Sequence, residues 1–212
     1  MTTIAQISES LQKGDAARVS ELTKSALDEK LGVQHILDDG LIAGMAVVGE
    51  RFKTHQIFLP DVLLAAKAMY AGMDLLKPLI IKEGIPSVGK VVMGTVQGDL
   101  HDIGKNLVSI MLKGAGFDVI DLGKDVPPEK FIDTAVDEAA QVIGLSALLT
   151  TTMPAMSRVV GLARERGIYG KVRIIVGGAP LSNAIAEEIG ADAYCYDGIS
   201  AVECVKRLVG TV

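Results

Sequence analysis

An amino-terminal four-helix bundle followed by a flavodoxin-like, doubly wound α/β domain with a five-stranded parallel sheet is the fold class that this 212-residue sequence predicts. Three observations carry it. Apolar residues recur at helical spacing from residue 4 to residue 80. Beyond residue 90, five short apolar runs alternate with helix-length amphipathic segments. Between the two patterns lies a loosely organised stretch at 81–89, Ile-Lys-Glu-Gly-Ile-Pro-Ser-Val-Gly, which reads as a linker. The domains are accordingly placed at 1–86 and 87–212.

In the first half, Ile4, Ile7 and Leu11 share one helical face, Gly14 can end that helix and Asp15 can cap the next, which continues through Val19, Leu22 and Leu27. After Gly32 a third segment carries Ile36, Leu37, Leu41, Ile42, Met45, Val48 and Phe52. A turn at 54–58 leads to Pro60, which suits the first turn of a fourth helix bearing Val62, Leu63, Ala66, Met69, Met73, Leu76 and Ile80, with Pro78 expected to kink or end it. Four helices with short connections and inward apolar stripes pack as an antiparallel bundle.

In the second half, the runs 91–96, 119–122, 142–146, 172–176 and 193–196 read as strands, because strands covered on both faces are continuously apolar. Parallel strands need crossover connections, and the intervening helices supply them. In the order 2-1-3-4-5, a ligand sits outside the carboxyl ends of strands one and three, where the order reverses. Strand one delivers Asp99, His101 and Asp102 on a loop between Gly98 and Gly104. Strand three ends in Ser146, followed by Thr150, Thr151 and Thr152, and strand four ends in Gly177 and Gly178. Hydroxyls and bare backbone therefore converge beside a histidine. Asp99 and His101 have the spacing at which a carboxylate fixes one imidazole nitrogen while the other remains available to a metal. A phosphate-binding loop is excluded by count, because five residues rather than four separate Gly98 from Gly104, and Asn106 stands where a Ser or Thr would hold magnesium.

Composition narrows the partners. With 26 acidic against 21 basic residues and a net charge of −5, neither nucleic acid nor an anionic membrane is a favoured partner. No apolar run reaches the roughly 20 residues of a membrane span, and Met1-Thr2-Thr3 lacks the basic-then-apolar start of a signal peptide, so a cytoplasmic protein is expected. Cys195 and Cys204 stand nine positions apart, which is no metal-ligand spacing, and they are expected to be structural thiols. His35 and His55 are expected to be ordinary solvated or satisfied side chains.

The carboxy-terminal half resembles the cobalamin-binding domain of methionine synthase and of corrinoid methyl-carrier proteins. The family's Asp-x-His-x-x-Gly occurs as Asp99, His101 and Gly104, its Ser-x-Leu as Ser146 and Leu148, and its Gly-Gly as Gly177 and Gly178. The helical half is similar to the cap of that family through the run from Gly44 to Phe52 and through Phe58-Leu59-Pro60. The resemblance implies cobalamin as cofactor, with His101 as lower axial ligand to cobalt, Asp99 as its hydrogen-bond partner and Thr152 in the third relay position, where the family usually has serine. It further implies that Gly98, Leu100, Asp102, Ile103 and Gly104 lie against the cofactor, that Ser146, Leu148, Thr150, Gly177 and Gly178 line a pocket for its displaced nucleotide tail, and that Phe52 and Leu59 cover the upper face. The implied activity is methyl shuttling from a substrate-specific methyltransferase to an acceptor methyltransferase that uses tetrahydrofolate or a thiol, with a corrinoid reductive activase as a third partner. A corrinoid-free ligand-binding or signalling receiver domain of the same fold is the alternative reading, and it needs no His101.

Overall fold

The structure, a computed structural model, describes residues 2–210; Met1, Thr211 and Val212, at the ends of the predicted domains, lie outside the described residues. The chain divides into two compact units, residues 1–87 with 114–116 and residues 88–113 with 117–212.

The first unit contains α1 (Thr3–Gln12), α2 (Ala16–Asp28), α3 (Val33–His35), a π-helical segment (Ile36–Ile42), α4 (Ala43–Lys53) and α5 (Leu59–Glu83). Side chains supply acceptors for orphan amides at three starts: the Thr2 hydroxyl takes the Ala5 N–H at 3.3 Å, Asp15 takes the Arg18 N–H at 3.0 Å, and Asp61 takes the Phe58 N–H at 2.9 Å. Ile7, Leu11, Val19, Ile36, Leu41, Val62 and Leu76 fill the core of the unit.

Three features depart from the sequence reading. The third predicted helix changes to π geometry at Ile36–Ile42 before α4 begins. Its buried positions Ile36, Leu37, Gly40, Leu41, Gly44, Met45 and Val48 recur every fourth residue, and a 3.6-residue helix would rotate such a stripe off the core. The wider i→i+5 turns absorb the surplus. Leu63 is exposed rather than buried, because the inward face of α5 is Val62, Ala65, Ala66, Ala68, Met69, Gly72 and Leu76. Finally, α5 neither ends at Pro78 nor stops short of residue 81, but runs to Glu83, where Gly84 closes it in the left-handed conformation with φ 67°. Pro78 removes one amide donor, and a 25-residue helix anchored by Leu76 tolerates that loss near its end. Pro78→Ala is therefore expected to raise the stability of the chain by about 1 kcal/mol, read by urea denaturation. An unchanged or lowered midpoint would show that the ring stabilises this turn.

Among its described residues the second unit has five strands alternating with helices: β1 (Lys90–Thr95), α6 (Ile103–Gly114), β2 (Asp118–Asp121), α7 (Pro128–Asp137), β3 (Val142–Ser146), α8 (Pro154–Glu165), β4 (Arg173–Gly177), α9 (Asn183–Ile189), β5 (Ala193–Tyr194) and α10 (Gly198–Val209). All pairings are parallel and the order is β2-β1-β3-β4-β5, the doubly wound arrangement with its reversal between β1 and β3. Val92 and Val96 join a buried cluster with Phe131, Ile143, Leu145, Met156 and Ile174, while the alternate residues Val91 and Met93 are buried too. Burial on both faces is why these strands are continuously apolar. β5 is shorter than predicted, because after Cys195 donates its N–H to Val176 the chain turns to Asp197, the cap of α10.

Helical spacing in the sequence after Gly98 predicts a stripe of Ile103, Leu107, Ile110 and Met111 facing the core, and the start of α6 departs from it. Ile103 is 75% exposed, whereas Lys105, Ser109, Met111 and Leu112 are buried. Residues 105, 109 and 112 share a helical face, and an ion pair with the partly exposed carboxylate of Asp121 lets lysine occupy it.

Candidate functional site

Register places the site residues at one sheet end. Thr95, Ser146 and Gly177 are aligned across β1, β3 and β4 at the carboxyl ends of those strands. From Val96, itself bridged to Val126, the chain crosses the sheet end as a loop that reaches α6 at Ile103. Gly98 has φ 87°, and its N–H donates to the Asp125 carboxylate at 2.7 Å. In return the Asp125 N–H donates to the carbonyl of Asp99 at 3.1 Å.

Asp99 is completely buried. One carboxylate oxygen, Oδ1, accepts from the backbone N–H of His101 at 3.0 Å and lies 2.8 Å from His101 Nδ1. The other, Oδ2, accepts from the N–H groups of Leu148 at 2.8 Å and Leu149 at 3.1 Å, with the Thr152 hydroxyl also at 2.8 Å. That hydroxyl carries one proton and stands equally close to the Leu149 carbonyl. Burial alone would raise the carboxyl pKa, but the donors from His101, Leu148 and Thr152 outweigh it and hold Asp99 well below the usual carboxylate range. Asp99 is thus ionised at neutral pH and can only accept hydrogen bonds, so the neutral form of the imidazole carries its proton on Nδ1 and presents the lone pair at Nε2.

The imidazole is half exposed, at 51% of its side chain. Exposed Leu100, Ile103, Leu148 and Leu149 come from the two segments that meet at Asp99. Gly104 leaves open space where a Cβ would stand. Asp102 is half-buried and its backbone carbonyl accepts the Asn106 N–H at 2.8 Å, Thr150 is exposed, and Ser146 is partly buried. Among the described residues there is no group of three or more His, Cys, Asp or Glu able to cage a metal ion. Cys195 and Cys204 are free, buried thiols. In the helical unit, Phe52 near the end of α4 and Leu59 at the start of α5 are half-buried, and Phe58 between them is exposed.

Several participants were absent from the sequence reading. Buried Thr95 donates its hydroxyl to the His101 carbonyl at 2.9 Å, Asp125 braces the loop, and the Leu149 amide joins that of Leu148. Lys105 reaches Asp121 at the end of β2. Thr95 carried a usable signal, a polar residue closing an apolar strand. A backbone amide carries none.

A family model described as a B12 binding domain matches residues 89–205, and a second of the same description matches residues 3–77. The chain is 40% identical over 213 residues to a corrinoid protein of Desulfitobacterium hafniense, covering 99% of each. It is 44% identical over 201 residues to a dimethylamine corrinoid protein of Methanosarcina barkeri, covering 94% of this chain and 92% of that one. Among solved structures, a chain of the methanol:cobalamin methyltransferase complex from Methanosarcina barkeri matches with a TM-score of 0.90 and 30% identity over 99% of this chain and 80% of that one. The chain therefore belongs to the corrinoid protein family and has cobalamin as its cofactor.

Proposed function

We propose that the protein is a methyl carrier in which His101 Nε2 is the lower axial ligand of the cobalamin cobalt. The observation that carries this reading is one half-exposed imidazole whose Nδ1 is held by a fully buried carboxylate. Such a donor set suits a metal that arrives with its equatorial ligands in a macrocycle, because a lone imidazole cannot retain a bare ion. The apolar side chains Leu100, Ile103, Leu148 and Leu149 and the open backbone at Gly104 fit a broad, largely apolar group above them.

When bound, the corrinoid supplies the chemistry of accepting and donating a methyl group. The chain's own residues ligate, orient and shelter it. Asp99 keeps the proton on Nδ1 and Nε2 free, Thr152 and the amides of Leu148 and Leu149 keep Asp99 ionised and fixed, and Gly98, Asp102 and Gly104 shape the loop. Ser146, Leu148, Thr150, Gly177 and Gly178 form the side on which the nucleotide tail is received. Residues 1–86 are assigned as the cap domain, with Phe52 and Leu59 as its cofactor-binding residues, and residues 87–212 as the cobalamin-binding domain. The methyl group comes from a substrate-specific methyltransferase and passes to an acceptor methyltransferase using tetrahydrofolate or a thiol, with a reductive activase maintaining the cofactor, all in the cytoplasm. The names of the relatives, dimethylamine corrinoid proteins and a methanol:cobalamin methyltransferase complex, support that class of partner while differing in donor. Donor choice is assigned to the partner, because relatives that match nearly all of this chain are named for different donors.

His101→Ala is expected to keep its fold and bind cobalamin, while the cobalt(II) form loses the nitrogen splitting of a histidine ligand in electron spin resonance. Retention of a splitting that responds to ¹⁵N-histidine labelling would overturn the assignment.

A further inference from the structure

The buried ammonium of Lys105 has no part in the ligand relay, yet it sits one helical turn past His101. Its side chain is 1% exposed, against 33% for its partner Asp121. Lys105 Nζ donates to both carboxylate oxygens of Asp121, at 2.6 and 2.5 Å, and to the side-chain oxygen of Asn106 at 2.7 Å. Asp121 also accepts the Gly123 N–H at 2.9 Å. All three ammonium donors are thereby used, which is what retaining a buried charge requires.

The position of this pair matters more than its stability. The Asp99 contacts tie the histidine loop to the segment after β3. Lys105 ties the start of α6 to the end of β2, the strand on the opposite side of β1. Between these attachments the Thr95 hydroxyl fixes the His101 carbonyl. Without Lys105 the first part of the loop is still braced by Asp125 at Gly98 and Asp99, but its junction with α6, just past His101, loses its tie to β2.

We infer that Lys105, through its buried ion pair with Asp121, is a positioning residue that sets the placement of the His101 imidazole and hence the fraction of protein in which histidine ligates the cobalt. This rests on His101 being the axial ligand. The asymmetric burial dictates the test. Removing Asp121 would strand a buried ammonium, whereas Lys105→Met leaves a carboxylate that water and the Gly123 amide still satisfy.

The experiment loads wild type, Lys105→Met, Asp121→Asn and His101→Ala with cobalamin, reduces each to cobalt(II), and measures the histidine-nitrogen splitting per bound corrinoid using ¹⁵N-histidine protein. Unfolding midpoints are recorded before loading. Lys105→Met is expected to bind corrinoid while its histidine-ligated fraction falls roughly fivefold or more. Asp121→Asn, which keeps an acceptor for Lys105 but lowers its charge, is expected to fall between Lys105→Met and wild type, and it decides the question should Lys105→Met fail to fold. A lowered midpoint with a wild-type histidine signal in the folded variants would make Lys105 purely structural and overturn the inference. Absence of the splitting from wild type, or its survival in His101→Ala, would instead overturn the ligand assignment beneath it.

Discussion

Asp99→Asn is expected to lose roughly 3 kcal/mol of folding stability at pH 7, the cost of mismatching a fully buried acceptor that serves several donors. In the wild type, backbone amides of His101, Leu148 and Leu149 point at the two oxygens, together with His101 Nδ1 and the Thr152 hydroxyl. An asparagine must turn its NH2 toward one of those sets. Facing Leu148 and Leu149 it opposes two N–H groups that have no other way to turn. Facing His101 it leaves that backbone amide unsatisfied and makes Nδ1 an acceptor, which moves the ring proton to Nε2 and blocks ligation through it. Either orientation damages both stability and the proposed cofactor linkage.

The pH dependence follows from the same contacts. The folded-state pKa of Asp99 is lowered from an ordinary value near 3.8, so the unfolded chain takes up the proton first as acid is added. The stabilisation is full above that value, begins to be lost as pH falls through 3.8, and vanishes only below the depressed folded-state pKa. Urea unfolding at pH 7 and at pH 3 should therefore show the gap between wild type and Asp99→Asn narrowing in acid. A gap that is absent at pH 7, or that widens in acid, would contradict the account.

Gly178→Ala is expected to cost about 3 kcal/mol or more, adding the strain of its backbone to an overlap that cannot relax through a side-chain rotamer. Gly178 has φ 138°, and a Cβ there would overlap the carbonyl oxygen of Ala147, with the carbonyl carbon at 2.9 Å. The backbone is pinned on both sides: Ala147 donates its N–H to Gly177 at 3.2 Å, and Leu181 donates to Gly178 at 3.1 Å. Displacing Ala147 also disturbs Leu148, whose amide holds Asp99. The required bareness of Gly178 thus has a cause within the sheet end, independent of any ligand. Gly104→Ala is the contrast, since nothing lies within 4 Å of its added Cβ, and its stability should stay within about 0.5 kcal/mol of wild type. Equal losses in the two variants would show that the contact with Ala147 is not what demands glycine.

The strands and their order were legible because burial on both faces leaves continuous apolar runs, and helix-length connections between such runs permit parallel pairing. The histidine and its carboxylate were legible because the Asp99–His101 contact is local, spanning two residues, and because the signature around it resembles a known family. The remaining donors to Asp99 lie 49, 50 and 53 positions away, and two of them are backbone amides whose direction depends on how the chain leaves β3. Nothing near Lys105 in the sequence marks its partner, because Asp121 lies 16 positions on and β2 brings it there. Pro78 reads as a helix end until the helix is seen to continue from buried Leu76 to its Gly84 cap. Local spacing fixed which groups could form the site, whereas burial, charge pairing and donor direction required strands distant in sequence to lie side by side, because an unpaired carboxylate or ammonium is stable in water but not inside the sheet end.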